Sequence, residues 1–474
     1  MLTRRRFAQL AGMTSASLAM GRRPVAQMSM PAGGTMGSGA APAAPASGAP
    51  ADFTLEIAPY VLEASPKHRF QTVAYNGQVP GPLLRMKQGR EVTVEVHNHS
   101  TDPEIVHFHG LFLPVATDGA MEEGSPMIAP GASSRLTFTP DPAGFRWFHT
   151  HTTAGNDLRK SQYGGQHGFL LIEPDSKSAS ENPARYDREI FLALHDWGGQ
   201  MMPSADGSSM PMYDVSTING KMLGFGEPVR VKQGERVMLH VLNSSPTEVH
   251  WVALAGHKFQ VVALDGNDLA RPPTVEMLRL APAERVSAIV EMNAPGVWVL
   301  GEVRKHVQAA GMGIVVEYPN ATGAAKWIQP QELAWDYGQF AEKPGPAESA
   351  GGVIEIPLTF DSKFEGHGNE EMWRINGKSY PDTESPTLEA GKRYRLVMKN
   401  LSNNDHPIHL HRHTFEVTNV GGTRMRGLMK DVLLIPAKST STVEFAADHP
   451  GNTLFHCHQQ DHMDRGFMMV FRYA

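Results

Sequence analysis

One cysteine, Cys457, stands in a chain of 474 residues, so no disulfide can form within it and that lone thiol needs its own explanation. Charge of either sign is also scarce. Against 49 Asp plus Glu there are 43 Lys plus Arg, a formal net charge of −6, and the body of the chain carries no basic block. Nucleic acid and an anionic membrane surface are therefore not expected as partners. No segment reaches about 18 uncharged apolar residues, which argues against a permanent membrane anchor. Long amphipathic helical stretches are hard to find, while 46 Gly and 35 Pro punctuate the chain. That balance predicts an all-β protein of short strands joined by turns. At this length a single hydrophobic core has stopped growing, so several domains are expected.

The N-terminus reads Thr3-Arg4-Arg5-Arg6-Phe7 followed by a mildly apolar stretch from Ala8 to Met20, which resembles a twin-arginine export signal. The expectation is a protein exported to the periplasm or otherwise outside the cytoplasm. From Gly21 to Ala51 the composition collapses to Gly, Ala, Pro, Ser and Met, too poor to bury a core and expected to be disordered. Met28, Met30 and Met36 could hold Cu(I) loosely, but low-complexity filler is the plainer reading. Residues 1–51 are thus signal and linker.

The remainder repeats. Asn76-Gly77, Asn219-Gly220 and Asn376-Gly377 each precede a glycine that opens an alternating strand ending in asparagine: GREVTVEVHN, GERVMLHVLN and GKRYRLVMKN, closing at Asn98, Asn243 and Asn400. Alternation with period two marks half-buried strands. Further shared elements follow at Pro142, Pro295 and Pro450 and at Gly168, Gly313 and Gly466. Three related Greek-key β-sandwich domains are expected at 52–175, 186–340 and 352–474, with linkers where Ser, Asn, Pro and Gly cluster.

Chemistry enters where the repeats differ. The first unit has His107-Phe-His109 and His149-Thr-His151; the third has His409-Leu-His411 and His456-Cys457-His458. At the corresponding places the middle unit offers Val249-His250-Trp251 and Gly301-Glu302-Val303, and it is read as a spacer. Histidines one residue apart on a strand share a face. Four such pairs can converge only if the outer domains pack together, and eight imidazoles at one interface suit copper. His97-Asn-His99 has the same spacing but brackets a strand-end asparagine and is read as solvated. His413 extends the 409 and 411 alternation and is read as a packed strand histidine, with a hydrogen-bonding role behind the ligands as the alternative. The same parity turns the sulfur of Cys457 away from His456 and His458, toward a separate site. His406 is on the matching parity, and His462 follows five residues later across a turn. Two imidazoles and a thiolate make the trigonal set of a blue-copper centre.

These motifs, HFHG at 107–110, WFHTH at 147–151, HPIHLH at 406–411 and HCHQQDH at 456–462, resemble the four copper motifs of multicopper oxidases, and the resemblance covers nearly the whole chain after the linker. It implies three cupredoxin-like domains and four copper ions. His107 and His409 would hold type 2 copper. His109, His149, His151, His411, His456 and His458 would hold the type 3 pair, and His406, Cys457 and His462 type 1. Electrons would pass from Cys457 to His456 and His458. The implied activity is laccase-like: oxidation of phenolic or aromatic-amine donors coupled to reduction of O2 to water, by a monomer.

The chain departs from the family at several positions. Where some members have an axial methionine ten residues after the cysteine there is Phe467, with Met468 one later, which predicts a relatively oxidising type 1 centre. Arg412 stands where the family often has glycine, and Met463 where some bacterial members have a glutamate. Asp118 matches the family's other acidic residue and is the candidate for proton delivery. The rival activity is oxidation of Cu(I), toward which Met201, Met202, Met210 and Met212 lean because thioethers suit that ion. A copper-free structural relative is the third reading, although every ligand position is filled.

Overall fold

In a computed structural model the described residues are 49–175, 185–203, 209–343, 352–365 and 370–474. The export signal, Met28, Met30 and Met36 lie outside them, as do most of both linkers. The fold is all-β, built of three cupredoxin-like sandwiches. In the first, a sheet of His68–Tyr75, Phe53–Ser65, Val92–Asn98 and Ser133–Phe138 packs on one of Gly81–Lys87, His167–Glu173, Gly144–Thr150 and Val106–His109. The second pairs a seven-stranded with a five-stranded sheet, and the third a six-stranded with a five-stranded sheet. Among the described residues no helix is long and apolar enough to cross a membrane.

The repeated residues have identifiable tasks. Asn76, Asn219 and Asn376 have φ of 53°, 51° and 51°, and the glycines after them 63°, 72° and 78°. Positive φ at both central positions is what a tight hairpin turn requires, and Asn-Gly adopts it most readily. The strand-end asparagines are buried and fully bonded. Asn98 Nδ2 donates to the carbonyls of Asp102 and Ile128 at 2.9 and 2.8 Å. Asn243 does so to Glu248 and Leu280, both at 2.8 Å, and Asn400 to Asn404 and Pro436 at 2.8 and 3.1 Å. Each Oδ1 accepts the amide N–H two residues on, at 2.9 Å. One side chain thus satisfies backbone groups of three segments where the strand leaves the sheet.

The middle sandwich, read from the sequence as a spacer, packs against both of the others. One continuous apolar core runs from Leu192 in the second sandwich to Phe471 in the third. A smaller cluster joins Phe145, Trp147, Phe169 and Leu171 of the first to Ala193, Leu242 and Ala283 of the second and Val432 of the third. Apolar contact at that three-way joint removes the freedom of the outer sandwiches to separate.

Candidate metal centre

Strand register brings the histidines together. Val106–His109 and Gly144–Thr150 pair antiparallel with His107 opposite His149, and His409 lies opposite His456 in the third sandwich. Across the interface the rings interleave. His109, His149 and His458 form one triangle, with centroids 5.7, 5.2 and 5.2 Å apart. His151, His411 and His456 form a second, at 5.1, 5.2 and 5.1 Å. His107 and His409 make the remaining pair, at 5.9 Å. Each set draws on both outer sandwiches, so neither sandwich alone makes any of them. All eight are buried.

The ring nitrogens are suited to a metal. His107 Nδ1 donates to the Asp118 carbonyl, His149 Nδ1 to Thr150, His409 Nδ1 to Asp431 and His456 Nδ1 to Cys457, at 2.7–2.9 Å. That fixes the tautomer and leaves Nε2 bare. Among the buried nitrogens with no partner are Nε2 of His107, His149 and His409, both nitrogens of His151 and His458, and Nδ1 of His109. Burial, reinforced by neighbouring imidazoles, holds the pKa values of His109, His149, His411, His456 and His458 well below the ordinary range. Neutral imidazoles with unpartnered lone pairs in a buried site are ready-made ligands.

Cys457 faces the other way, as the alternation requires. Its Sγ lies 3.4 Å from His462 Nδ1 and 3.8 Å from His406 Nδ1, with the two nitrogens 3.1 Å apart. His406 Nε2 is engaged with Ser402 Oγ at 2.8 Å, so Nδ1 is the nitrogen it turns toward Cys457 and His462. Burial pushes the Cys457 thiol well up and, with Arg465, the His462 imidazole down to about 3. A metal would draw out the thiolate. The expected turn between Cys457 and His462 is a short helix, Gln460–Asp464.

The departures also find physical reasons. The Phe467 ring is buried 4.8 Å from His406 and 5.0 Å from Phe360. Met468 points to the opposite side, among Ala120, Leu454 and Met463, so its sulfur does not face Cys457. The Trp373 indole closes the site, 4.1 Å from His462 and 4.8 Å from His406. Arg412 sits at φ 59°, the region glycine enters without cost, which accounts for glycine elsewhere in the family. Because the strand ends at Leu410, the alternation does not continue to His413. That residue is buried as expected but not in a strand, and its Nε2 bonds Tyr473 at 2.7 Å. His97 and His99 lie apart from the centre, against Ser133 and Glu56.

Asp118 is fully buried. Its Oδ2 accepts from His411 Nδ1 at 2.8 Å, while Oδ1 has no partner. Sequence reasoning missed four groups around the histidines. Glu123 lies 3.6 Å from His411 and Glu122 3.9 Å from His151, beside a cavity of about 290 Å³ that His151 also lines. Asp431 lies 3.3 Å from His109 Nε2 and is gripped by Arg285 of the middle sandwich. Two adjacent acids in an otherwise apolar loop could have flagged Glu122 and Glu123; nothing local marks Asp431 or Arg285.

Comparison with known proteins agrees with this geometry. Family models described as "Multicopper oxidase" match residues 60–177, 190–316 and 356–474. The chain is 29% identical over 433 residues to "Multicopper oxidase MmcO" of Mycobacterium tuberculosis, covering 83% of this chain and 82% of that protein. It is 24% identical to the "Bilirubin oxidase" of Albifimbria verrucaria, over 88% of this chain and 76% of that one. Among solved structures the fold is similar to Fet3p, a multicopper oxidase that functions in iron import, with TM-score 0.76, 20% identity and coverage of 89% and 90%. It is also similar to a laccase-like multicopper oxidase, CueO, from Ochrobactrum sp., with TM-score 0.70, 22% identity and coverage of 89% and 96%.

Proposed function

Because this chain belongs to the multicopper oxidase family, an oxidoreductase lineage that uses O2, we propose that it oxidises phenolic or aromatic-amine donors one electron at a time and reduces O2 to water. The observation that carries the reading is the placement of Cys457. One residue binds at a two-imidazole site through its side chain, and its chain neighbours His456 and His458 each enter a different histidine triangle. Copper, when bound, supplies one-electron redox chemistry and a place for oxygen. Type 1 copper is assigned to His406, Cys457 and His462, the type 3 pair to the two triangles, and type 2 copper to His107 and His409.

The protein does the rest. The backbone between Cys457 and its neighbours, with the 2.9 Å bond from His456 Nδ1 to the Cys457 carbonyl, gives the short covalent and hydrogen-bonded link between the two sites. Phe467 and Trp373 keep water from the thiolate. Asp118 orients His411 through Oδ2, and its unpartnered Oδ1 is the assigned proton carrier for the O2 site. Four electrons and four protons are consumed per O2, giving two waters. We place the enzyme outside the cytoplasm by the twin-arginine route, as a monomer with domains at 52–175, 186–340 and 352–474.

A Cu(I) donor is the second reading, favoured by one observation. Gln200–Pro203 and Ser209–Met212 form a hairpin in which Met202 lies opposite Met210, and Met202, Met210 and Met212 are 40%, 46% and 53% exposed. By strand alternation these three thioethers share a face, and soft sulfur suits Cu(I). Met201 packs inward with Tyr213 and lines a cleft of about 800 Å³ that reaches Arg465, just past the helix bearing His462. O2 uptake by the copper-loaded enzyme is measured with phenols and with Cu(I), in the wild type and after replacing Met202, Met210 and Met212 by Leu. Phenol turnover exceeding Cu(I) turnover in the wild type, with neither changed by the triple variant, supports the first reading; Cu(I) turnover that dominates in the wild type and is selectively lost in the variant supports the second. A wild type that takes up neither copper nor O2 overturns both.

A further inference from the structure

Beneath the histidine interface lies a group of charged residues with no exposure to solvent, and its members come from all three sandwiches. Asp431, of the third, is the hub. Its carbonyl accepts from His409 Nδ1 at 2.7 Å, and its Oδ1 lies 3.3 Å from His109 Nε2. A carboxylate can only accept, so His109 must carry its proton on Nε2, which leaves Nδ1 as the bare nitrogen; Nδ1 is indeed without a partner. The carbonyl imposes the reverse on His409, whose bare nitrogen is Nε2. One residue therefore sets opposite tautomers on two imidazoles, one from each outer sandwich.

Asp431 is itself aimed by arginine. Arg285, on strand Arg285–Glu291 of the middle sandwich, grips it in a fork, with Nη1 to Oδ1 at 2.5 Å and Nη2 to Oδ2 at 2.7 Å. Arg146 of the first sandwich adds Nη1 to Oδ2 at 3.1 Å. The planar fork fixes the carboxylate's rotation as well as its position, which a point charge would not. The same contacts explain the glycine of the HFHG motif. A Cβ at Gly110 would lie 2.5 Å from Asp431 Oδ2 and 3.0 Å from Arg285 Nη2, at a φ of +83°.

We propose that Arg285 is a positioning residue for the oxygen-reducing centre: by orienting the Asp431 carboxylate it selects which nitrogen of His109 faces the metals, so the middle sandwich governs occupancy of a site to which it gives no ligand. The proposal rests on the copper assignment above. It separates the two centres, because Arg285 has no contact with His406, Cys457 or His462.

The test uses full-length protein loaded with copper, comparing wild type with Arg285→Met and Arg285→Lys. Copper affinity, the blue absorbance of the Cys457 centre and the paramagnetic spectrum of the His107 and His409 copper are read separately. Outer-sphere partners of this kind shift metal affinity by about 10–100-fold. The expected result for Arg285→Met is a loss of that size at the triangle of His109, His149 and His458, with the blue centre unmoved and Arg285→Lys recovering part of it. In the copper-free protein, nitrogen NMR of His109 should show the Nε2 proton in the wild type and a mixture in the variant. Equal weakening of both centres, or wild-type affinity at both, overturns the proposal. If Arg285→Met does not fold, Arg285→Lys decides by the same split. A wild type that binds no copper overturns the assignment beneath it, which is a separate result.

Discussion

Arg412 sets two opposing effects of known size against each other. At φ 59° a side chain costs about 1–2 kcal/mol relative to glycine, so Arg412→Gly should relieve strain. The guanidinium, however, is buried and donates to four carbonyls: Leu113 at 2.7 Å, Asn452 at 2.9 Å, His449 at 3.1 Å and Pro450 at 2.7 Å. Leu113 belongs to the first sandwich and the other three to the third, so these bonds tie together the two that share the histidine centre. At about 1 kcal/mol each, the ordinary net worth of a hydrogen bond in a protein, they contribute about 4 kcal/mol. The hydrogen bonds win, and Arg412→Gly should destabilise by about 2–3 kcal/mol. Arg412→Ala loses the same bonds and keeps the strain, so it should be worse than Gly by about 1 kcal/mol. Urea unfolding of the copper-free proteins, which removes metal linkage from the comparison, should therefore rank wild type above Gly and Gly above Ala. A glycine variant as stable as wild type would refute the weight given to the hydrogen bonds, and Gly and Ala variants of equal stability would refute the strain.

His250 stands at the middle unit's counterpart of the ligand histidines but pairs with carboxylates, bonding Asp196 at 2.8 Å and Glu302 at 3.1 Å. Burial would lower its pKa, yet Asp196 and then Glu302 outweigh that and raise it to about 10. A raised imidazole stabilises fully below about pH 6.5 and loses that contribution as pH climbs toward 10. Wild-type stability should therefore fall by several kcal/mol, on the order of 5 at most, between pH 7 and 10, and His250→Gln should be less stable at pH 7 with that slope flattened; an unchanged slope in unfolding measurements would count against the charged assignment. Phe467→Met should lower the type 1 potential by roughly 60–120 mV, one to two tenfold changes in relative affinity for the two copper states, as read by redox titration of the blue band. Asp118→Asn should slow O2 turnover about 10–100-fold and alter its pH profile while leaving anaerobic reduction of the blue centre intact; unaltered turnover would remove Asp118 from proton delivery.

What could be read in the chain is what short-range geometry controls. Period-two alternation puts His107 with His109 and turns Cys457 from its neighbours, and those relations hold within a few residues whatever surrounds them. The internal repeat likewise located the Asn-Gly turns and strand-end asparagines, because each acts on backbone close by. The failures have the opposite character. His413 was placed on a continuing strand, but one residue at positive φ, Arg412, ends the alternation.

The resemblance to a known family divided the eight imidazoles between coppers, yet nothing in their spacing says that His458 joins His109 and His149 while His456 joins His151 and His411. The middle domain looked inert for the same reason: its part is played by Arg285, which reaches a carboxylate 146 positions away, and His109 meets that same carboxylate across 322. Alternation along a strand is decided by bonds between successive residues, so the sequence alone determined which ligands share a face and that the thiol stands apart. Which faces meet, and which charges lie beneath them, is decided by apolar burial where three sandwiches join, and only the tertiary structure could supply it.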